Sequence, residues 1–279
     1  MNKLLIVDGS NLLFQMFFCM SARIVGKNGR AIQGVMGFVG ALLKILRITK
    51  PTHVVVFFDG ECQNARRELD AEYKANRPDY SDVPEDENPF SQLPYIQAAL
   101  ALLQIPYAET TDCETDDWIA AYARQMPADE LVISSFDSDF FQLITDRVSV
   151  LRYRGEHTVI LTPASIYDKF GILPAQYADF KALVGDTADN IRGISGVGPK
   201  TAAMLLGEFG TLQGVMENAA QIKRASVRLA VQEGTERLIK NRQLILLQGE
   251  MPLPLAMDQL NYTEVELSTH QILRAIGVL

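Results

Sequence analysis

Asp112-Cys113-Glu114-Thr115-Asp116-Asp117-Trp118 crowds four acids into little more than one turn of a helix. If a helix begins near Thr111, Glu114 and Asp117 fall three residues apart on one face, with Asp116 a quarter-turn to the side. N-terminal capping and the helix dipole account for one or two of these acids. They do not account for three distant segments that also end on aspartate: Leu4-Leu5-Ile6-Val7-Asp8, Val54-Val55-Val56-Phe57-Phe58-Asp59, and Leu131-Val132-Ile133-Ser134-Ser135-Phe136-Asp137-Ser138-Asp139. Each is a short β-branched or aromatic run that reads as a buried strand and stops at an acid.

Between these strands the periodicity is helical. Gly9-Ser10-Asn11 turns the first strand into a helix from Leu12 to Met20, and a second helix is predicted from Gly34 to Ile48, ended by Pro51. In that helix Gly34, Gly37 and Gly40 are spaced for close packing against a neighbour. Strand, helix, strand favours a parallel sheet in an α/β fold. Further helices are predicted at 93–104, 117–124, 163–170 and 174–184 and from Phe140 onward, and strands at 105–108, 148–152 and 158–161. Residues 66–77 read as helical and 79–89 as an acidic, mobile stretch. A solvated surface helix explains that segment, as does a substrate-gripping element in which Tyr73 interleaves with Lys74 and Arg77. From about Leu212 to Leu279 the chain reads as mostly helical, with a connector at Met251 to Pro254.

In open α/β sheets the working crevice lies beyond the carboxyl ends of the strands. Asp8, Asp59, Asp137 and Asp139 therefore share one rim with Glu114, Asp116 and Asp117 at a helix start. So many carboxylates cannot stay ionised together without cations. Mg²⁺ and Mn²⁺ prefer such oxygen ligands, and two of them are the usual apparatus for in-line displacement at phosphorus. Gly196-Val197-Gly198-Pro199-Lys200-Thr201 leads into an alanine- and leucine-rich helix, and its backbone N–H groups and Lys200 suit a phosphate. An ordinary glycine-capped hairpin accounts for that turn equally well.

Composition narrows the class. The 279 residues are 48% hydrophobic with net charge −8, enough for a large core and, on charge alone, no argument for nucleic acid. Two divalent ions would cancel about half of that excess. Cys19, Cys62 and Cys113, with His53, His157 and His270, show neither a disulfide framework nor zinc-ligand spacing. With no signal-like or membrane-spanning run, the expectation is a cytoplasmic protein with no membrane partner, monomeric by default.

Taken together, the motifs resemble those of the 5′ nuclease family, the flap endonuclease and 5′–3′ exonuclease proteins that include the N-terminal domain of bacterial DNA polymerase I. They are Asp8-Gly9-Ser10-Asn11-Leu12-Leu13-Phe14, Phe58-Asp59, Glu72-Tyr73-Lys74-Ala75-Asn76-Arg77-Pro78, Glu114-Thr115-Asp116-Asp117, Asp137-Ser138-Asp139, Gly185-Asp186-Thr187-Ala188-Asp189-Asn190-Ile191 and Gly196-Val197-Gly198-Pro199-Lys200-Thr201-Ala202. The resemblance implies a PIN-like α/β core at 1–165, with a central, mostly parallel sheet flanked by helices and a helical arch at about 62–94. A helical C-terminal region follows at 166–279, with a DNA-binding helix-hairpin-helix at about 185–210. It further implies two Mg²⁺ or Mn²⁺ ions, one surrounded by Asp8, Asp59, Glu114, Asp116 and Asp117, the other served by Asp137, Asp139, Asp186 and Asp189. Arg66, Tyr73, Lys74 and Arg77 match arch positions, Lys74 with a catalytic role. Gly196, Gly198, Lys200 and Thr201 hold duplex DNA, often in this family with a K⁺. The implied activity is hydrolysis of 5′-flap or branched DNA, leaving a 5′-phosphate.

Three positions depart from the family pattern: Gln15 stands where arginine is common, and Phe136 and Ser138 where glycine and lysine are common. With the chain ending at Leu279, the resemblance is to a free-standing paralogue. The alternatives are a PIN-like ribonuclease, which the hairpin and long arch disfavour, and a non-cleaving branched-DNA binder, which the acid set disfavours.

Overall fold

The computed structural model describes residues 1–19, 23–27, 29–60, 65–80 and 82–279; Met20, the expected end of the first helix, and Cys62, the expected start of the arch, lie outside them. The middle layer is a six-stranded sheet built from β1 (Lys3–Asp8), β2 (His53–Phe58), β3 (Tyr107–Glu109), β4 (Glu130–Ser134), β5 (Val148–Arg152) and β6 (Val159–Leu161). Its order is β3-β2-β1-β4-β5-β6, with every pairing parallel except the β5–β6 hairpin. Successive strand residues face opposite sides. Leu4, Ile6, Val55, Phe57, Leu131 and Ile133 thus enter one core, while Leu5, Val7, Val54, Val56, Phe58 and Val132 enter another. Burial on both faces is why these runs are continuously apolar. By the same alternation Asp8 continues the Leu4–Ile6 face and Asp59 the Val55–Phe57 face.

Helices cover both faces. α1 (Gly9–Cys19), α2 (Gln33–Thr49) and, beyond the short α3 (Ala65–Leu69), α4 (Leu93–Leu102) build the second core, whereas α5 (Thr115–Gln125) lies on the first. A C-terminal body follows: α6 (Pro163–Phe170), α7 (Tyr177–Val184), α8 (Pro199–Phe209), α9 (Leu212–Glu217), α10 (Ala225–Glu233) and α11 (Thr235–Ile245). Between α7 and α8 runs a two-stranded ribbon, β7 (Gly185–Asp186) with β8 (Ile191–Arg192). The chain closes with α12 (Thr269–Ala275).

Several expectations need correction. The first helix begins at Gly9, directly on β1, with no intervening turn. The helix expected over 66–77 stops at Leu69, because Asp70 accepts from the Glu72 N–H and turns the chain. The acidic stretch after it is paired: Asp86 with Arg23, and Glu85 with Arg30 at 2.9 Å. Residues 139–143 form a tight 3₁₀ turn rather than the start of an α-helix. Of the glycines in α2, Gly34 packs closely against Gln92 and Phe17, but Gly40 has only an ordinary contact with Thr269.

The largest correction concerns the C-terminus. Helix ends at Ile245, and residues 246–268 run without α-helix back to the sheet. Their backbone is satisfied by side chains instead of a helical ladder. Tyr122 Oη donates to the Leu255 carbonyl at 2.8 Å and accepts from its N–H at 3.0 Å, and the Gln125 amide donates to the carbonyls of Gly249 and Met251. Asn261 then bridges to His53, and Ile272, Leu273 and Val278 join the second core. The tail expected within the helical region 166–279 therefore belongs to the α/β core.

Candidate active site

The rim beyond β1, β2 and β4 is fixed by the first turn of α1. The Asn11 N–H and the Ser135 hydroxyl donate to the two oxygens of Asp8 at 3.0 and 2.8 Å. Ser10 Oγ accepts the Asp59 N–H at 2.8 Å, and Asn11 Oδ1 accepts the Phe136 N–H at 2.9 Å. One helical turn thereby joins the ends of three strands. Gly9 allows it, since a Cβ there would sit 2.5 Å from the Phe58 ring and 2.8 Å from the Phe57 carbonyl. Asp59 in turn accepts the Thr115 N–H at 3.1 Å, drawing the start of α5 to the rim.

The acids sort into two groups. Asp8, Asp59, Asp116 and Asp137 face one another. Burial first, then the charge of Asp59, push Asp8 up to about 7. Burial and then Asp137 hold Asp116 well above the ordinary carboxylate range. Asp139, Asp186 and Asp189 form the second group, each bringing an oxygen within 4.8 Å of the others. Burial and then Asp137 raise Asp139 to about 7. Asp137 thus lies between the groups, its Oδ1 accepting the Asp139 N–H at 2.8 Å.

Basic side chains thread this cluster. Lys181 of α7, buried, is ion-paired to both Asp139 and Asp186. Burial works against its charge, but the two carboxylates prevail and raise its pKa. Arg77 pairs with Asp189 at 2.8 Å and Lys74 with Glu114 at 2.7 Å. Arg66 binds Glu114 and Asp117 through 2.7–2.8 Å hydrogen bonds, and Tyr73 Oη donates to Glu114 at 3.2 Å. Arg66, Tyr73 and Lys74, read from sequence as residues of a protruding arch, are instead buried against the acids. Lys74 takes the left-handed conformation, φ 54°, to turn inward, and its N–H donates to the Asp189 carbonyl at 3.1 Å.

This placement gives two of the expected ligands basic partners within the chain. Both oxygens of Asp117 accept from Arg66, and one also accepts the Gln248 N–H at 2.8 Å. Glu114 is held by Lys74, Arg66 and Tyr73. These two acids anchor the 66–77 segment in this structure. Nine carboxyl groups stand against four cations, Lys74, Lys181, Arg66 and Arg77, and the surplus is why burial and mutual repulsion push Asp8, Asp116 and Asp139 toward protonation. The donors are hard oxygens suited to divalent ions, and Lys181 is a cation already lodged in the second group.

Downstream of the ribbon, Gly196 has φ 76° and Gly198 caps α8, with Lys200 exposed on its first turn and Thr201 half-buried. Gln15, at a position that departs from the family pattern, donates to the Tyr153 carbonyl at 2.8 Å.

Residues 3–171 match the family described as 5′-3′ exonuclease, N-terminal resolvase-like domain, and residues 172–268 that described as 5′-3′ exonuclease, C-terminal SAM fold. The chain belongs to the 5′-3′ exonuclease family. The thermostable DNA polymerase I of Thermus thermophilus is 34% identical over 259 residues, 92% of this chain and 30% of the polymerase. The Rhizobium leguminosarum DNA polymerase I is 35% identical over 268 residues, 93% of this chain and 26% of the polymerase. The chain thus spans 26% to 30% of the length of these relatives. Among solved structures, the bacteriophage T5 D15 flap endonuclease in complex with DNA and metal ions aligns with TM-score 0.70 and 24% identity, covering 88% of this chain and 89% of that one. The catalytic core of Rad2 in complex with DNA substrate aligns with TM-score 0.59 and 16% identity, covering 99% and 93%. At these identities the likeness is one of fold.

Set in this exonuclease-family frame, the second matched region ends at 268, just where the tail turns into α12 and rejoins the core. Three site residues escaped sequence reading. Lys181 lies in an otherwise mostly apolar helix five positions before Asp186, and a lysine with apolar neighbours ahead of Gly-Asp was the available signal. Ser10 and Asn11 were read as a turn, although a Ser-Asn pair just after a strand-ending acid is well suited to holding neighbouring strand ends.

Proposed function

We propose that this chain is a divalent-metal-dependent 5′ nuclease that hydrolyses DNA phosphodiester bonds at 5′ flaps and branched ends, leaving a 5′-phosphate. The observation that carries the reading is the pair of facing acid groups at the sheet rim and the neighbouring ribbon, with more carboxyl groups than internal cations to match them. In this reading Asp8, Asp59, Asp116 and Asp137 hold one ion, and Asp139, Asp186 and Asp189 the other. Mg²⁺ or Mn²⁺ bound there would supply Lewis-acid stabilisation of the attacking and leaving oxygens.

The chain's own residues bind and orient. Asn11 and Ser135 fix the Asp8 carboxylate, and Ser10 fixes the backbone that carries Asp59. Lys74 and Arg77, anchored on acids at the base of the 66–77 segment, are within reach of a phosphate entering the rim. Gly196, Gly198, Lys200 and Thr201 offer N–H groups and charge to the backbone of the adjoining duplex.

The test is a 5′-flap duplex labelled at its 5′ end, incubated at low salt with Mg²⁺, with Mn²⁺ or with chelator. A short labelled product near the junction, formed only with metal, is expected. Asp139→Ala should abolish it while flap binding stays within a few-fold. Flap binding without cutting by the unaltered protein would overturn the nuclease reading in favour of a binding protein, and preferential cutting of single-stranded RNA would favour a ribonuclease.

A further inference from the structure

The sheet order places β5 beside β4, so the rim does not end at the acids. It runs from Asp59 on β2 through Asp8 on β1 and Asp137 after β4 to Arg152 at the end of β5, with Arg154 just beyond. Neighbouring strands are ~4.8 Å apart, so the arginines begin about one strand spacing from Asp137. Phe136 lies between. Its carbonyl accepts from Arg152 Nη2 at 2.7 Å, its ring centroid is 5.7 Å from the Arg152 guanidinium carbon, and 5.0 Å from that of Arg154. Arg152 also lies over Phe141 at 4.6 Å.

These two arginines differ from the other basic groups of the rim. Arg66, Lys74, Arg77 and Lys181 each grip a carboxylate. Arg154 is exposed and makes no ion pair among the described residues, and the buried Nε of Arg152 has no hydrogen-bond partner. The exposed Arg154 guanidinium, held on the Phe136 ring and not on an acid, is available for an anion from outside, and Arg152 adds its charge from beneath the same ring. A DNA strand carries one phosphate about every 3.4 Å of axis. The arginine pair, on the strand beside the acids, is therefore placed where a phosphate neighbouring the cleaved bond would lie.

We propose that Arg152 and Arg154, positioned by Phe136, form a subsite for a backbone phosphate one or two nucleotides from the cleaved bond. The inference rests on the nuclease reading for the place of that bond, but its test measures binding. Affinity of the full chain for a 5′-flap duplex is measured by fluorescence anisotropy in chelator across a salt series. Arg154→Ala should weaken binding about three- to tenfold and lower the slope of log K against log salt by about one, while Arg154→Lys keeps the slope. Phe136→Leu, which removes the ring's charge-holding face, should weaken binding in the same direction. A single uncharged methylphosphonate is then placed at each of the two phosphates on either side of the junction. One of these substitutions should abolish the difference between the unaltered chain and Arg154→Ala. An unchanged slope and affinity in Arg154→Ala, or methylphosphonates that weaken both proteins equally, would overturn the subsite, as would absence of flap binding by the unaltered chain. Binding that obeys the prediction without any metal-dependent cutting would leave the subsite standing and remove the nuclease reading alone.

Discussion

Replacing Lys181 with methionine keeps the length of the side chain and removes its charge, which isolates the role of the cation lodged in the second acid group. Its side chain is 8% exposed, and those of its partners Asp139 and Asp186 are 8% and 13% exposed. At an effective dielectric near 20, each contact is worth about 4 kcal/mol before desolvation. Removing one partner of such a buried pair costs about 3–5 kcal/mol in net stability. For a chain of this size about 1 kcal/mol moves Tm by ~2–4 °C, so the metal-free variant should melt about 6–20 °C lower at pH 7.5. The gap should narrow toward pH 5.5, where the freed carboxyls can neutralise themselves by taking up protons. A divalent ion entering the group no longer meets the ammonium, so Mn²⁺ should bind the variant at least about tenfold more tightly, a gain of ~1.4 kcal/mol. Thermal melts in chelator and Mn²⁺ titration by calorimetry read the two effects separately. A variant whose metal-free melting is unchanged and whose Mn²⁺ affinity does not rise would refute the assignment of Lys181 as an internal substitute for the metal.

Two further outcomes follow from the same electrostatics. Asp8 and Asp139 have folded-state values of about 7 against 3.8 unfolded, so the native state binds the extra protons and their contribution is lost as pH rises from about 4 through 7. Metal-free protein should therefore melt higher at pH 6 than at pH 8, with Mg²⁺ closing the gap at pH 8; a chelated Tm that climbs with pH would contradict this. Asp116→Asn and Asp117→Asn should separate ligand from anchor: the first weakens Mn²⁺ binding about tenfold or more without loss of stability, whereas the second leaves it near normal but costs about 3 kcal/mol through Arg66. Equal loss of metal binding in both would return Asp117 to the ligand set.

What the sequence could disclose was local. A run such as Leu4 to Asp8 carries its own strand signal, and period-two alternation then sends Asp8 and Asp59 to the same side of the sheet as Leu4 and Phe57. Strand-ending acids thus identify the rim before any coordinates exist, whereas Asp186 and Asp189 end no strand signal of that kind and entered only through the resemblance. The pairing of those residues was not legible, because it depends on contacts between distant segments. Arg66 meets Asp117 across 51 positions and Gln248 joins them across 131. Residues 66–77 have ordinary helix propensity, and the turn that Asp70 makes by accepting the Glu72 N–H is joined by the burial of Tyr73 and Lys74 against the acid cluster.

The same physics explains why the acid cluster draws in the basic segment at all. Among buried like charges, any cation on a tether long enough to arrive lowers the energy, and the 66–77 segment brings Arg66, Lys74 and Arg77 to three of the acids. Residues that sequence reading assigns to gripping DNA are, without DNA, the counter-ions of the site. In the proposed reading, ions held by the two groups would displace Arg77 from Asp189 and Lys181 from Asp139 and Asp186, whereas Lys74 and Arg66 would keep their hold on Glu114 and Asp117. On that reading metal and phosphate would favour one another, because a cation displaced from a carboxylate becomes free for a phosphate. Arg152 and Arg154 rest on Phe136 instead of on carboxylates, so in the proposed subsite no ion would have to displace them before a phosphate arrives.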